Sequence, residues 1–136
     1  MEHLENPFWM TNQLSAKLKP GGQFIFSTLN INSPDFRLWR ENWYDLDLPR
    51  HFTFFRKRDL YQMLEEHFQI VNVYYQPAAN DYVGSARYWL CNSATHALAR
   101  PLNKLIVALG DKISWVCQLL SLLGQATRIS IHARRR

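Results

Sequence analysis

The stretch LKPGGQFIFSTLN, residues 18–30, constrains the fold more than any other part of the chain. Proline cannot continue a helix and paired glycines permit positive φ, so KPGG reads as a helix end and a sharp turn. Phe24, Ile25 and Phe26 then follow without a polar break, the pattern of a strand covered on both faces. Such a strand needs hydrogen-bonding neighbours on both sides. Nothing upstream supplies one, because residues 6–19 read as a helix. Met10, Leu14 and Leu18 recur every fourth residue, Asn6 suits the N-cap and Pro7 the first helical position.

Downstream, residues 31–55 are loop-like and dense in aromatics, and a loop of that length is more often functional than filler. RKRDLYQMLEEHF returns to helix, with Leu60, Met63 and Leu64 on one side and Phe68 just beyond. QIVNVYYQP is a strand built from Ile70, Val71, Val73, Tyr74 and Tyr75 and ending at Pro77. Residues 81–123 are mostly helical, divided by Pro101 and the Gly110-Asp111 pair. The final ATRISIHARRR sets Thr127, Ile129, Ile131 and Ala133 against Arg128, Ser130, His132 and Arg134, which predicts a half-exposed antiparallel edge or near-edge strand. No internal repeat is present. Helix, strand, loop, helix, strand, helical segment, strand is the grammar of an open α/β sheet.

The 136 residues suffice for one domain with a core, and 47% apolar content argues against disorder. A formal charge of +5 makes nucleic acid or an anionic surface conceivable partners. The basic residues are dispersed apart from FRKRD and ARRR, and no nucleic-acid-binding motif occurs, so no nucleic acid is expected. Cys91 and Cys117 read as separate buried thiols of a reducing cytosol, with no redox or metal-site spacing. The amino terminus lacks the pattern of a signal peptide, so a cytoplasmic location is expected. Residues 113–127 carry no charge, but the run is shorter than the roughly 20 residues a membrane-spanning helix needs. It reads as a buried helix or a lid over a lipophilic acceptor, with shallow membrane attachment aided by Arg134, Arg135 and Arg136 as the alternative.

Three motifs in order carry a family resemblance: Glu2-His3-Leu4 through Pro7, then Leu18-Lys19-Pro20-Gly21-Gly22, then Trp43, Leu46, Asp47, Pro49, Arg50, His51 and Phe55. Together they resemble the C-terminal half of a class I S-adenosylmethionine-dependent methyltransferase, above all the ubiquinone-biosynthesis-like group. The resemblance covers residues 1 to about 76 and is topological beyond. It implies an α/β fold: a partial Rossmann-like sheet of strands 5, 7 and 6 from the family order 3-2-1-4-5-7-6, with flanking helices. The expected layout is a single incomplete domain, with a family-like part at 1–80, a helical insert at 81–125 and a closing strand at 126–134. QFIFSTL would be the interior strand 5, with strand 4 missing. Leu29-Asn30 stands where relatives commonly have Pro-Asn, and His67 where they have glycine.

In the family a glycine-rich turn and an acidic residue hold the methyl donor. The five glycines here, at 21, 22, 84, 110 and 124, form no such turn. No cofactor-binding residue is therefore expected, and S-adenosylmethionine is expected only in a complete enzyme. Truncation or a misplaced start ranks above a split enzyme with a complementary N-terminal half.

The resemblance places Glu2 and His3 beside the acceptor pocket, where a histidine can serve as general base. Glu2 and His3 could equally just favour a helix start. The expected catalytic residues are His3 and His51; the expected substrate-binding residues are Glu2, Asn30, Trp43 and Arg50; no metal ligand is expected. Arg50 could instead pair with Asp45 or Asp47 to pin the loop, and Trp39, Trp43 and Tyr44 could form a minor core. The expected partner is a small, lipophilic acceptor. The competing reading is a non-catalytic module that binds a protein or membrane through an open sheet edge or apolar helices.

Overall fold

A computed structural model of the chain describes residues 1–76, 78–92, 101, 104, 105 and 108–136. The elements are α1 (Pro7–Lys17), β1 (Gln23–Leu29), α2 (Pro34–Trp39), α3 (Lys57–Leu64), β2 (Phe68–Gln76), α4 (Ala79–Asn92), α5 (Gly110–Leu122) and β3 (Arg128–Arg135). The sheet order is β1-β3-β2, with β3 antiparallel to both neighbours. That is the 5-7-6 arrangement of a partial methyltransferase sheet. Pro77 and much of the segment between α4 and α5 lie outside the described residues.

Local chemistry sets the first helix and its end. The Trp9 amide donates to Asn6 Oδ1 at 2.9 Å, Pro7 opens α1, and Gly21 turns the chain at φ 79°. The buried stripe of α1 is Pro7, Thr11 and Ser15, with Met10, Leu14 and Leu18 only half-buried beside it. Small hydroxyl residues are tolerated there because each bonds a carbonyl of its own helix, Thr11 to Pro7 and Ser15 to Asn12.

Of the edge or near-edge positions that the periodicity allowed, β3 takes the near-edge one: it lies between β1 and β2, antiparallel to both, as the 5-7-6 order implies. Its apolar face, Ile129, Ile131 and Ala133, is completely buried, while its other face carries Arg128, Ser130, His132 and Arg134. Alternation reports how many faces of a strand are covered, not how many edges are paired. In β2 the register shifts between Ile70 and Asn72, leaving Val71 exposed as a bulge. The extra residue switches side-chain parity, so Phe68 and Ile70 before it and Val73 and Tyr75 after it all face the core.

β1 is an outer strand here rather than an interior one. Its ladder runs to β3 alone, Ile25 is 65% exposed, and past its end the Ile31 amide donates to the Phe55 carbonyl in a lone parallel bridge. The core lies on one face of the sheet, where α3 contributes Leu60, Met63 and Leu64 against Phe55, Phe68 and Ile131. Each fully buried leucine of that set contributes about 1.5–3 kcal/mol.

The segment 31–55, loop-like in sequence, is ordered by local caps. Ser33 Oγ accepts from the Phe36 amide and Pro34 opens α2; two short 3-10 turns follow at Arg40–Asn42 and Tyr44–Leu46. The second turn closes against α4 because Gly84 has no Cβ, which would meet the Tyr44 ring at 2.5 Å. Of the two thiols, Cys117 is buried as expected, whereas Cys91 is exposed, a correction: it sits near the end of α4, on a helix that turns only part of its surface inward.

Candidate functional site

The amino-terminal residues are tied to the loop that follows the second 3-10 turn. The Phe52 and Thr53 amides both donate to the Glu2 carbonyl, at 2.8 and 3.2 Å, and Thr53 Oγ1 donates to the Leu4 carbonyl at 2.9 Å. This lacing brings His3 against His51, with ring centroids 4.7 Å apart. His3 Nδ1 lies 3.0 Å from the Arg50 carbonyl and His51 Nδ1 lies 2.6 Å from the Asp45 carbonyl. Carbonyl oxygens only accept, so both Nδ1 atoms carry hydrogen, and in the neutral rings both Nε2 atoms carry a lone pair. His51 is 8% exposed and His3 is exposed.

Glu2 completes the cluster. Its Oε2 accepts from Thr28 Oγ1 of β1 at 3.0 Å and from the Met1 ammonium at 3.0 Å. Burial pulls this carboxyl's pKa upward, but its own backbone amide, the ammonium and Thr28 together outweigh that, so it lies below the ordinary value. Glu2, His3 and His51 thus each offer a ligand atom within 4.8 Å of the others. Sequence spacing hid this trio, because His51 lies in a different motif from Glu2-His3 and only the amide lacing joins them.

The other expected site residues are placed differently. Trp43 is 1% exposed and its indole N–H donates to Asp35 Oδ2 at 2.6 Å, which makes it a packed core residue. Asn30 is also buried: its amide nitrogen donates to the Ala126 carbonyl and its oxygen accepts from the Asn32 amide. Both side chains are committed to holding the loop on the sheet, so neither presents a free group to an acceptor. Arg50 is exposed and pairs with Asp47 at 2.6 Å, which raises its already high pKa. It borders a polar cavity of about 210 Å³ with Tyr44, Asp45, His51, Tyr88 and Arg128. His3 borders another cavity, about 430 Å³, with Trp9, Met10 and Phe52. The larger cavity of about 530 Å³ beside α3 is lined by none of the three clustered residues and is distant from this chemistry in composition as well as place.

Beneath the polar cavity is a charged knot that sequence reading missed. Asp45 and Asp81 are buried beside Arg128, whose Nη2 donates to Asp45 Oδ1 at 2.8 Å and whose Nε lies 3.5 Å from Asp81 Oδ2; Asp35, also buried, accepts from Trp43 and Thr127. An ion pair ordinarily lowers a carboxyl's pKa, yet burial and then the neighbouring Asp81 raise Asp45 to about 8. One half-exposed guanidinium cannot offset both. Burial likewise raises Asp35 to about 6, against the bonds from Trp43 and Thr127. Burial also pushes the Cys117 thiol up to about 11 and raises the Tyr82 hydroxyl.

The model of a family described as a methyltransferase domain matches residues 1–72, the segment that holds α1, β1, the laced loop, α3 and the start of β2. The chain belongs to this methyltransferase family. No curated protein and no solved structure matches it. Methyltransferases generally take their methyl group from S-adenosylmethionine, but the residues of this methyltransferase domain do not fit that group. Gly21 and Gly22 close α1, Gly84 is covered by Tyr44, Gly110 begins α5 and Gly124 turns beside Tyr75. None makes a glycine-rich cradle between a strand and a helix. Among the described residues, no helix is long and apolar enough to cross a membrane.

Proposed function

We propose that this methyltransferase domain forms the acceptor side of an S-adenosylmethionine-dependent enzyme of the ubiquinone-biosynthesis-like group, inactive alone, with the donor-binding strands outside these 136 residues. The observation that carries the reading is the open edge of β1. An outer strand with Phe24, Ile25 and Phe26 in sequence, paired on one side only, is the surface on which a fourth strand would be laid. The cluster at the end of that strand supplies what the acceptor requires. Two imidazole lone pairs stand ready for a proton, oriented by backbone carbonyls, and Arg50 and the cavity beside His51 receive a small molecule.

Calorimetry with S-adenosylmethionine tests the reading directly. The chain alone is expected to give no binding heat, and clear micromolar affinity would overturn the assignment of the donor site to another segment.

One observation favours a second reading, a binding module without catalysis. Trp115, Val116, Leu122 and Leu123 on and just after α5 are all more than half exposed. Co-sedimentation with liposomes and light scattering separate the two. A monomer that ignores liposomes counts against the module.

A further inference from the structure

We propose that Glu2, His3 and His51 bind a divalent transition metal ion, with one nitrogen from each imidazole and one carboxylate oxygen as ligands. Three features point to it. One nitrogen of each imidazole and one Glu2 carboxylate oxygen lie within 4.8 Å of one another, so a metal held at distances near 2.0–2.2 Å needs only local side-chain movement. His3 is exposed and Glu2 half-buried, so these two can make that movement while His51 stays fixed in the interior. Each imidazole also has its Nδ1 hydrogen directed at a backbone carbonyl, Arg50 for His3 and Asp45 for His51. That is the supporting bond a metal-bound histidine ordinarily makes, and it leaves Nε2 as the ligand. Finally, Thr28 and the ammonium both bond Glu2 Oε2, leaving Oε1 for the metal.

Two imidazoles and one carboxylate select zinc, cobalt or nickel over magnesium or calcium, which prefer all-oxygen sites. Three protein ligands leave at least one coordination position open. A hydroxyl bound there would lose its proton more readily, and to solvent water, because the metal then takes the imidazole lone pairs that otherwise serve as bases. Only that last consequence rests on the proposed methyl transfer; the metal site stands without it. The Met1 ammonium, 3.0 Å from Oε2, opposes a cation, and its ion pair with Glu2 must loosen on binding; Arg50 and Arg128, on the cavity beside His51, are each paired with an aspartate.

The test is titration of the full chain with Co²⁺, followed by visible absorption, and with Zn²⁺ in competition against a chromogenic chelator. One equivalent of metal is expected, undisturbed by excess Mg²⁺. His51→Ala, His3→Ala and Glu2→Gln should each weaken binding by more than the roughly 10–100-fold lost when only a supporting bond is removed. His67→Ala, outside the cluster, should bind as the parent does. Proton NMR of the parent chain keeps the outcome independent of variant folding: Co²⁺ must broaden the His3 and His51 ring signals before those of His67 and His132. Absence of binding, survival of binding in His51→Ala, or broadening elsewhere first overturns the site.

Discussion

Two groups of ionisable side chains meet at Asp45, and they are built on opposite principles. In the Glu2-His3-His51 cluster, backbone carbonyls hold the rings through Nδ1, and only the Glu2 carboxylate is bonded through its side chain, to Thr28 and the Met1 ammonium. In the knot the side chains hold one another: Arg128 of β3 joins Asp45 of the loop to Asp81 of α4, and Asp35 of the loop accepts from Thr127 beside Arg128. The Asp45 carboxyl belongs to the knot while its carbonyl orients His51. The contrast teaches that stability and chemistry are assigned to different atoms of the same residues. The knot fastens the loop, and the cluster uses what the fastened loop presents.

Removing the centre of the knot should have the largest effect. Arg128→Met leaves Asp81 buried without its counter-charge, and Asp45, largely protonated at neutral pH, without its 2.8 Å donor; it should cost about 2–4 kcal/mol in urea unfolding. This lies at or below the roughly 3–5 kcal/mol of a fully buried pair, because the guanidinium is 39% exposed and the carboxyls can take up protons. A loss under 0.5 kcal/mol would remove the knot from the account of the fold.

Trp43→Phe should cost about 1–3 kcal/mol, because Asp35 loses its 2.6 Å indole donor within the interior. The same variant should hold Asp35 protonated to higher pH.

The pH dependence of stability follows from the same carboxyls. Asp35 and Asp45 titrate near 6 and 8 in the folded chain against 3.8 otherwise, so the folded state binds more protons across that window. Their contribution is fully present below about pH 4 and is lost as pH rises through 6 and then 8. The slope approaches roughly 1.4 kcal/mol per pH unit for each carboxyl still protonated. Asp45→Asn should flatten the decline between pH 6 and 8, and a parent chain whose stability rises there would contradict the raised values.

The cluster should respond least. His51→Ala should cost about 1 kcal/mol for its single bond to Asp45, and His3→Ala under 0.5 kcal/mol because the ring is exposed. If either destabilises the chain as much as Arg128→Met does, the division between fastening and presenting atoms fails.

The sequence by itself determined the elements and their order. Asn6 and Pro7 start α1, Gly21 ends it, Leu60, Met63 and Leu64 form the inward side of α3, and the motifs of residues 1–55 name the family. These are local properties: caps, turns and periodicity depend on neighbours within a few residues. Tertiary structure alone decided that Val71 bulges, that the Trp43 indole bonds Asp35 and that the Asn30 amide bonds the Ala126 carbonyl. It also decided that Asp45 and Asp81 share Arg128, that Asp35 takes Trp43 and Thr127, and that Glu2 and His3 meet His51. Edge pairing and charge coupling act through space, between residues as far apart as Gln23 and Arg134, 111 positions, in the β1–β3 ladder. A one-dimensional pattern records which faces are apolar, but not which partner covers them.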